Sequence, residues 1–210
     1  MAIKVDNYIN KYVVNQLFSN NSNNPQNNNN IVETLQNLSE QYASISAYGK
    51  KLNDIYNELT QRSDVTNEAL AGARNVIVNL SQGNGTDWMQ TVEALDKLKN
   101  SSEFEKFFEA ANTIHSRSYD MNNWLKAFVN ATNYGYEDQF IKQTNEILKN
   151  DNTKETANVF DEFINSVNDI ATNVPNDEFV KSAFSNFFEG MASRSSLEEK
   201  NAFMDNFKAG

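Results

Sequence analysis

From Ile31 onward, apolar or small side chains return at alternating steps of four and three residues: Leu35, Leu38, Tyr42, Ile45, Gly49, Leu52, Tyr56 and Leu59. This spacing holds a stripe on one face of an α-helix, and over about four heptads it predicts one long helix across 31–62. At 1.5 Å per residue such a helix would run about 40 Å and needs another long surface to pack along. Gly49 weakens the seam and Ile55 widens it, so packing within one bundle competes with self-association as a coiled coil.

Shorter helical patterns follow, each with recognisable ends. Ser63 or Asp64 is placed to cap a helix carrying Val65, Ala69, Gly72, Ala73, Val76 and Leu80, and the Gln82-Gly83-Asn84-Gly85-Thr86 loop stops it. Thr86 or Asp87 is placed to cap the next, with Trp88, Val92, Leu95 and Leu98 on one face. Ser102 and Glu105 have the spacing of a capping box ahead of Phe104, Phe107, Phe108, Ala111 and Ile114. Asp120 opens a helix with Met121, Trp124, Leu125, Phe128 and Val129, which ends near Tyr134-Gly135. Later helices carry Phe140, Ile147 and Leu148, and then Phe160, Phe163, Val167 and Ile170. After Pro175 come Val180, Phe184, Phe187, Phe188 and Met191. A second Ser-x-x-Glu pair, Ser196 and Glu199, precedes Leu197, Phe203, Met204 and Phe207. No segment alternates with period two. The expected fold is all-α, a multi-helix bundle in which one long heptad-patterned helix is followed by shorter antiparallel helices.

Two stretches repeat at an offset of nearly eighty residues. Phe104-Glu-Lys-Phe-Phe-Glu109 is matched by Phe184-Ser-Asn-Phe-Phe-Glu189, and Trp124, Leu125 and Phe128 by Phe203, Met204 and Phe207. Ser116-Arg-Ser118 pairs with Ser193-Arg-Ser195, and Thr66-Asn-Glu-Ala-Leu70 with Thr144-Asn-Glu-Ile-Leu148. The order is kept, which is what duplication of a three- to four-helix unit leaves behind. The expected organisation is an N-terminal amphipathic helix at 1–18, an Asn-rich flexible tether at 19–30, the heptad helix at 31–62, and helical units at 63–136 and 137–210. Residues 19–30 hold no large apolar side chain, so ordering them would cost entropy without burial in return.

Composition narrows function mainly by exclusion. The chain has 210 residues, no Cys, one His and a net charge of −10. Thiolate chemistry, disulfides and nearly every zinc site are excluded, and an acidic chain is a poor partner for nucleic acid. No apolar run approaches the roughly 20 residues needed to cross a bilayer, and the N-terminus lacks the pattern of a cleaved signal. The chain reads as cytoplasmic, or exported without a cleaved signal peptide. Roughly one residue in six is Asn, which reads as compositional bias rather than chemistry.

Some constellations superficially offer chemistry, though paired carboxylates such as Glu198-Glu199 or Asp161-Glu162 read as solvated helix faces. His115, in His115-Ser116-Arg117-Ser118-Tyr119-Asp120, is adjacent in sequence to triad-type residues, but a triad converges from separate elements. Asp151, Thr153, Glu155 and Glu162 match four positions of a calcium loop, but Thr156 stands where the turn needs Gly. The loop at 82–86 lacks the Lys of a phosphate-binding loop. No catalytic, cofactor or metal site and no small-molecule substrate is inferred. The expected function is non-enzymatic: a structural or interaction protein (assembly component, adaptor or chaperone-like binder) that meets a protein partner or itself. The alternative is an exported or surface-acting effector delivered by an uncleaved N-terminal segment. The candidate interaction surface is Val5, Ile9, Tyr12, Val13 and Leu17 on the first helix, with Leu35, Leu38, Tyr42, Ile45 and Leu52 on the heptad helix.

Overall fold

A computed structural model describes residues 47–209, except 64, 82–87 and 175. The segments 1–18, 19–30 and 31–46, the loop at 82–86 and the proposed caps Thr86 and Asp87 lie outside the described residues. Among the described residues every regular element is a helix: α1 (Ala47–Thr60), α2 (Asn67–Ser81), α3 (Trp88–Leu98), α4 (Phe104–Ser116), α5 (Met121–Asn133), α6 (Glu137–Leu148), α7 (Lys154–Asn173), α8 (Asp177–Ala192) and α9 (Leu197–Ala209). The fold is an all-α helical bundle. Within α1, Leu52, Ile55, Tyr56 and Leu59 are all buried.

Helix ends follow local chemistry in some places and tertiary demand in others. Asp120 caps α5 by accepting from the Asn123 amide, and Thr153 caps α7 by accepting from the Thr156 amide. Ser196 and Glu199 form the expected reciprocal box at α9: Ser196 Oγ accepts from the Glu199 amide at 3.1 Å and Glu199 Oε2 from the Ser196 amide at 3.2 Å. The box expected at Ser102 and Glu105 does not form. Ser101 Oγ takes the Glu103 amide instead, and Glu105 turns away to accept from the Thr66 amide. Thr66, rather than Ser63, caps α2 by accepting from the Ala69 amide; Asp64, the other expected cap, lies outside the described residues.

The helices form two layers. α1, α3, α5, α7 and α9 make one, and α2, α4, α6 and α8 the other; each helix packs against the helix two places along, and most also touch the next in sequence. Polar bonds within a layer join residues 33 to 45 positions apart, so one step of the array is about forty residues. They also fix direction. Lys51 Nζ meets Glu93 Oε2 at 2.6 Å in the second turns of α1 and α3, and Arg62 Nη2 donates to the Lys99 carbonyl just past their ends. Neighbours within a layer are therefore parallel, and helices consecutive in the chain are antiparallel. The eighty-residue offset in the sequence spans two such steps. The matched Phe clusters lie on α4 and α8, and the Trp124 and Phe203 clusters on α5 and α9. Thr66-Leu70 and Thr144-Leu148, by contrast, lie at opposite ends of their helices.

The core runs between the layers as a chain of rings. Tyr56 meets Phe108, Phe108 meets Phe107, and Phe107 stacks on Trp124 with centroids 4.7 Å apart. The series continues through Phe140, Phe163 and Phe187 to Phe207. Ring pairs at these separations add to the burial of 150–250 Å² that each large aromatic supplies.

Candidate interaction surface

Of the ten residues expected to form a docking surface, Leu52 alone falls among those described. It is 5% exposed and belongs to the chain's own core. The residues weighed for chemistry are dispersed. His115 is exposed in the last turn of α4. Asp151, Thr153 and Glu155 surround the start of α7, where Thr153 acts as a cap, and no group of His, Asp or Glu among the described residues is arranged to hold a metal ion.

The outer face of the even-numbered layer carries two adjoining furrows. The first, of about 480 Å³, lies between α2, α4 and α6, with Glu68, Glu109, Lys106, Lys142 and Asn145 along its walls. Its charges are mixed. Lys106 donates to Glu109 at 3.0 Å, and this bond, with the carboxylate's field, holds its ammonium above the ordinary lysine range. The second, of about 470 Å³, lies where the ends of α6 and α8 meet the start of α9. The two border each other at Glu146 and Lys149.

The second furrow is built on a buried cation. Lys200 is 3% exposed, and its ammonium donates to Gln143 Oε1 at 2.7 Å, to the Met191 carbonyl at 2.8 Å and to Glu146 Oε2 at 3.3 Å. Its three donors are satisfied, and the carbonyl it meets belongs to the C-terminal turn of α8, where the helix dipole favours positive charge. Arg194 is held beside it. The guanidinium donates to the Gly190 carbonyl and, at 2.9 Å, to Ser193 Oγ, and stacks 4.1 Å above the Phe203 ring. Lys149 lies exposed at the rim. Glu199 is committed elsewhere: bonds from the Ser196 and Ser195 amides, then the Ser195 hydroxyl, hold its carboxyl below the usual glutamate range. Neither Lys200 nor Arg194 was singled out from sequence. A signal existed for Lys200, which occupies the apolar stripe of α9, three residues after Leu197 and four before Met204.

The other layer carries amide bonds. Asn130 donates to Asn168, Asn168 to Asn123, and Asn123 to Asn165, at 2.9, 2.9 and 3.1 Å, so four side-chain amides in series tie α5 to α7. Nearby, burial and then the field of Asp120 push the Asp161 carboxyl up. Asn75 and Asn112 form a similar link between α2 and α4. Part of the Asn excess thus serves packing between same-layer helices.

No helix among the described residues is long and apolar enough to cross a membrane. Comparisons with protein-family models, with curated proteins and with solved structures find no match to this chain.

Proposed function

We propose that this protein acts through protein–protein contacts, as an assembly component, adaptor or chaperone-like binder, rather than by catalysis. The observation that carries this reading is the layered array. Most of its described large rings are spent on the core, with Phe179 (64% exposed) the one Phe among the described residues that is largely exposed, and a furrow lies between the parallel helices α2, α4 and α6. Arrays of stacked helical pairs create extended surfaces suited to gripping another chain. The test is light scattering across a concentration series, combined with affinity recovery of partners by the full chain. The expected result is concentration-dependent assembly or a reproducible partner. A chain that stays monomeric throughout and recovers no partner overturns the reading.

A further inference from the structure

We propose that the furrow at the ends of α6 and α8 is a docking site for an acidic peptide segment of a partner. This rests on the reading that the protein works through protein contacts. Two cationic side chains, Lys149 and Arg194, line the furrow beside the ion pair of buried Lys200 with Glu146, its one carboxylate, in a chain whose net charge is −10. The contrast is local and built. Glu146 is already engaged by Lys200, so its charge is offset within the wall. Arg194 is braced by the Gly190 carbonyl, Ser193 and the Phe203 ring, so little side-chain freedom is left to lose on binding. A guanidinium whose Nη1 is committed in this way holds its positive charge at a fixed place in the wall, and exposed Lys149 adds a second positive charge at the rim.

The shape argues for an extended ligand. At about 470 Å³ the furrow is larger than one small anion needs, and it borders the α2–α4–α6 furrow at Glu146 and Lys149. The field outside the furrow repels acidic chains, so binding depends on seating carboxylates beside these cations and weakens as salt screens them.

The experiment uses the full chain, fluorescein-labelled hexaglutamate as probe and hexaglutamine as its uncharged counterpart, read by anisotropy at low salt. Saturable binding of hexaglutamate alone is expected. Lys149→Glu should weaken it about tenfold, while Lys126→Glu, on the exposed side of α5 in the other layer, should leave it unchanged. Absence of saturable binding overturns the proposal, and so does equal weakening by both variants. Displacement of the probe by equimolar inorganic phosphate reassigns the furrow to a small anion and also overturns it. If hexaglutamate fails while the chain still assembles or recovers a partner, this inference falls and the broader reading stands; if assembly and partner recovery fail too, both fall.

Discussion

Two of the described residues hold a left-handed backbone conformation, and they do so at equivalent helix ends. After α4, the amides of Ser118 and Tyr119 return to the carbonyls of His115 and Ile114; after α5, those of Gly135 and Tyr136 return to Thr132 and Ala131. Both are Schellman closures, and the residue at the turn has φ of 59° in Ser118 and 82° in Gly135. Glycine adopts this region freely, whereas a side chain with a Cβ is strained there. Gly135→Ala, which meets no neighbouring atom, is therefore expected to cost about 1 kcal/mol, and Ser118→Gly to gain somewhat less. Opposite signs in paired urea denaturation curves are the check. The Gly135 stop was legible in the sequence because its cause is local. Ser118 was not, because nothing in its residue type announces the conformation. The Asn series on α5 and α7 escaped for another reason: each amide finds its partner about forty residues away, beyond any local pattern.

At the scale of the element, caps were readable only where the capping side chain had no better offer. Ser196 and Glu199 keep their box, whereas Glu105 is drawn across to Thr66 at the start of α2, 39 residues away, and α4 is left without a side-chain cap. The Glu199 box predicts a pH response. Its folded-state pKa lies below the ordinary value of 4.5, so its stabilisation is present above about that pH and is lost as pH falls through the lower folded value. Protection of the Ser195 and Ser196 amides from hydrogen exchange should therefore drop on acidification below pH 4.5 in the native chain. In Glu199→Gln, which keeps an acceptor oxygen but cannot titrate, that drop should be absent. Lys200 secures the same helix from the inside. Lys200→Ala leaves Gln143, Glu146 and the Met191 carbonyl without their cation and should destabilise the chain by about 2–3 kcal/mol. Exchange in α9 should rise more than exchange in α3 or α4; a uniform rise would mean that Lys200 does not act through α9.

Across the whole molecule, the sequence revealed which faces are apolar but not which helices share them. Periodicity marks a buried stripe, and a stripe packs equally well in a compact bundle or in a layered array. What decides is backbone spacing, and among the described glycines Gly72 carries it at a backbone-to-backbone approach. A Cβ there would lie 1.7 Å from the Phe108 carbonyl oxygen, so α2 and α4 meet almost backbone to backbone. Gly72→Ala must push these helices apart and is expected to cost about 3 kcal/mol. The array determines where that cost is felt. Each helix touches mainly its neighbours one and two places along, so stability is close to a sum of local interfaces rather than the property of one indivisible core. Hydrogen exchange of Gly72→Ala should accordingly rise steeply in α2 and α4, less in α6, and hardly at all in α7 and α9. Conversely, Phe187→Ala, which removes a ring in contact with Phe163, Phe203 and Phe207, should loosen α7, α8 and α9 and spare α2. Equal loss of protection throughout in both variants would mean that the layers unfold as one unit, and that the ring chain couples distant helices more strongly than nearest-neighbour packing allows.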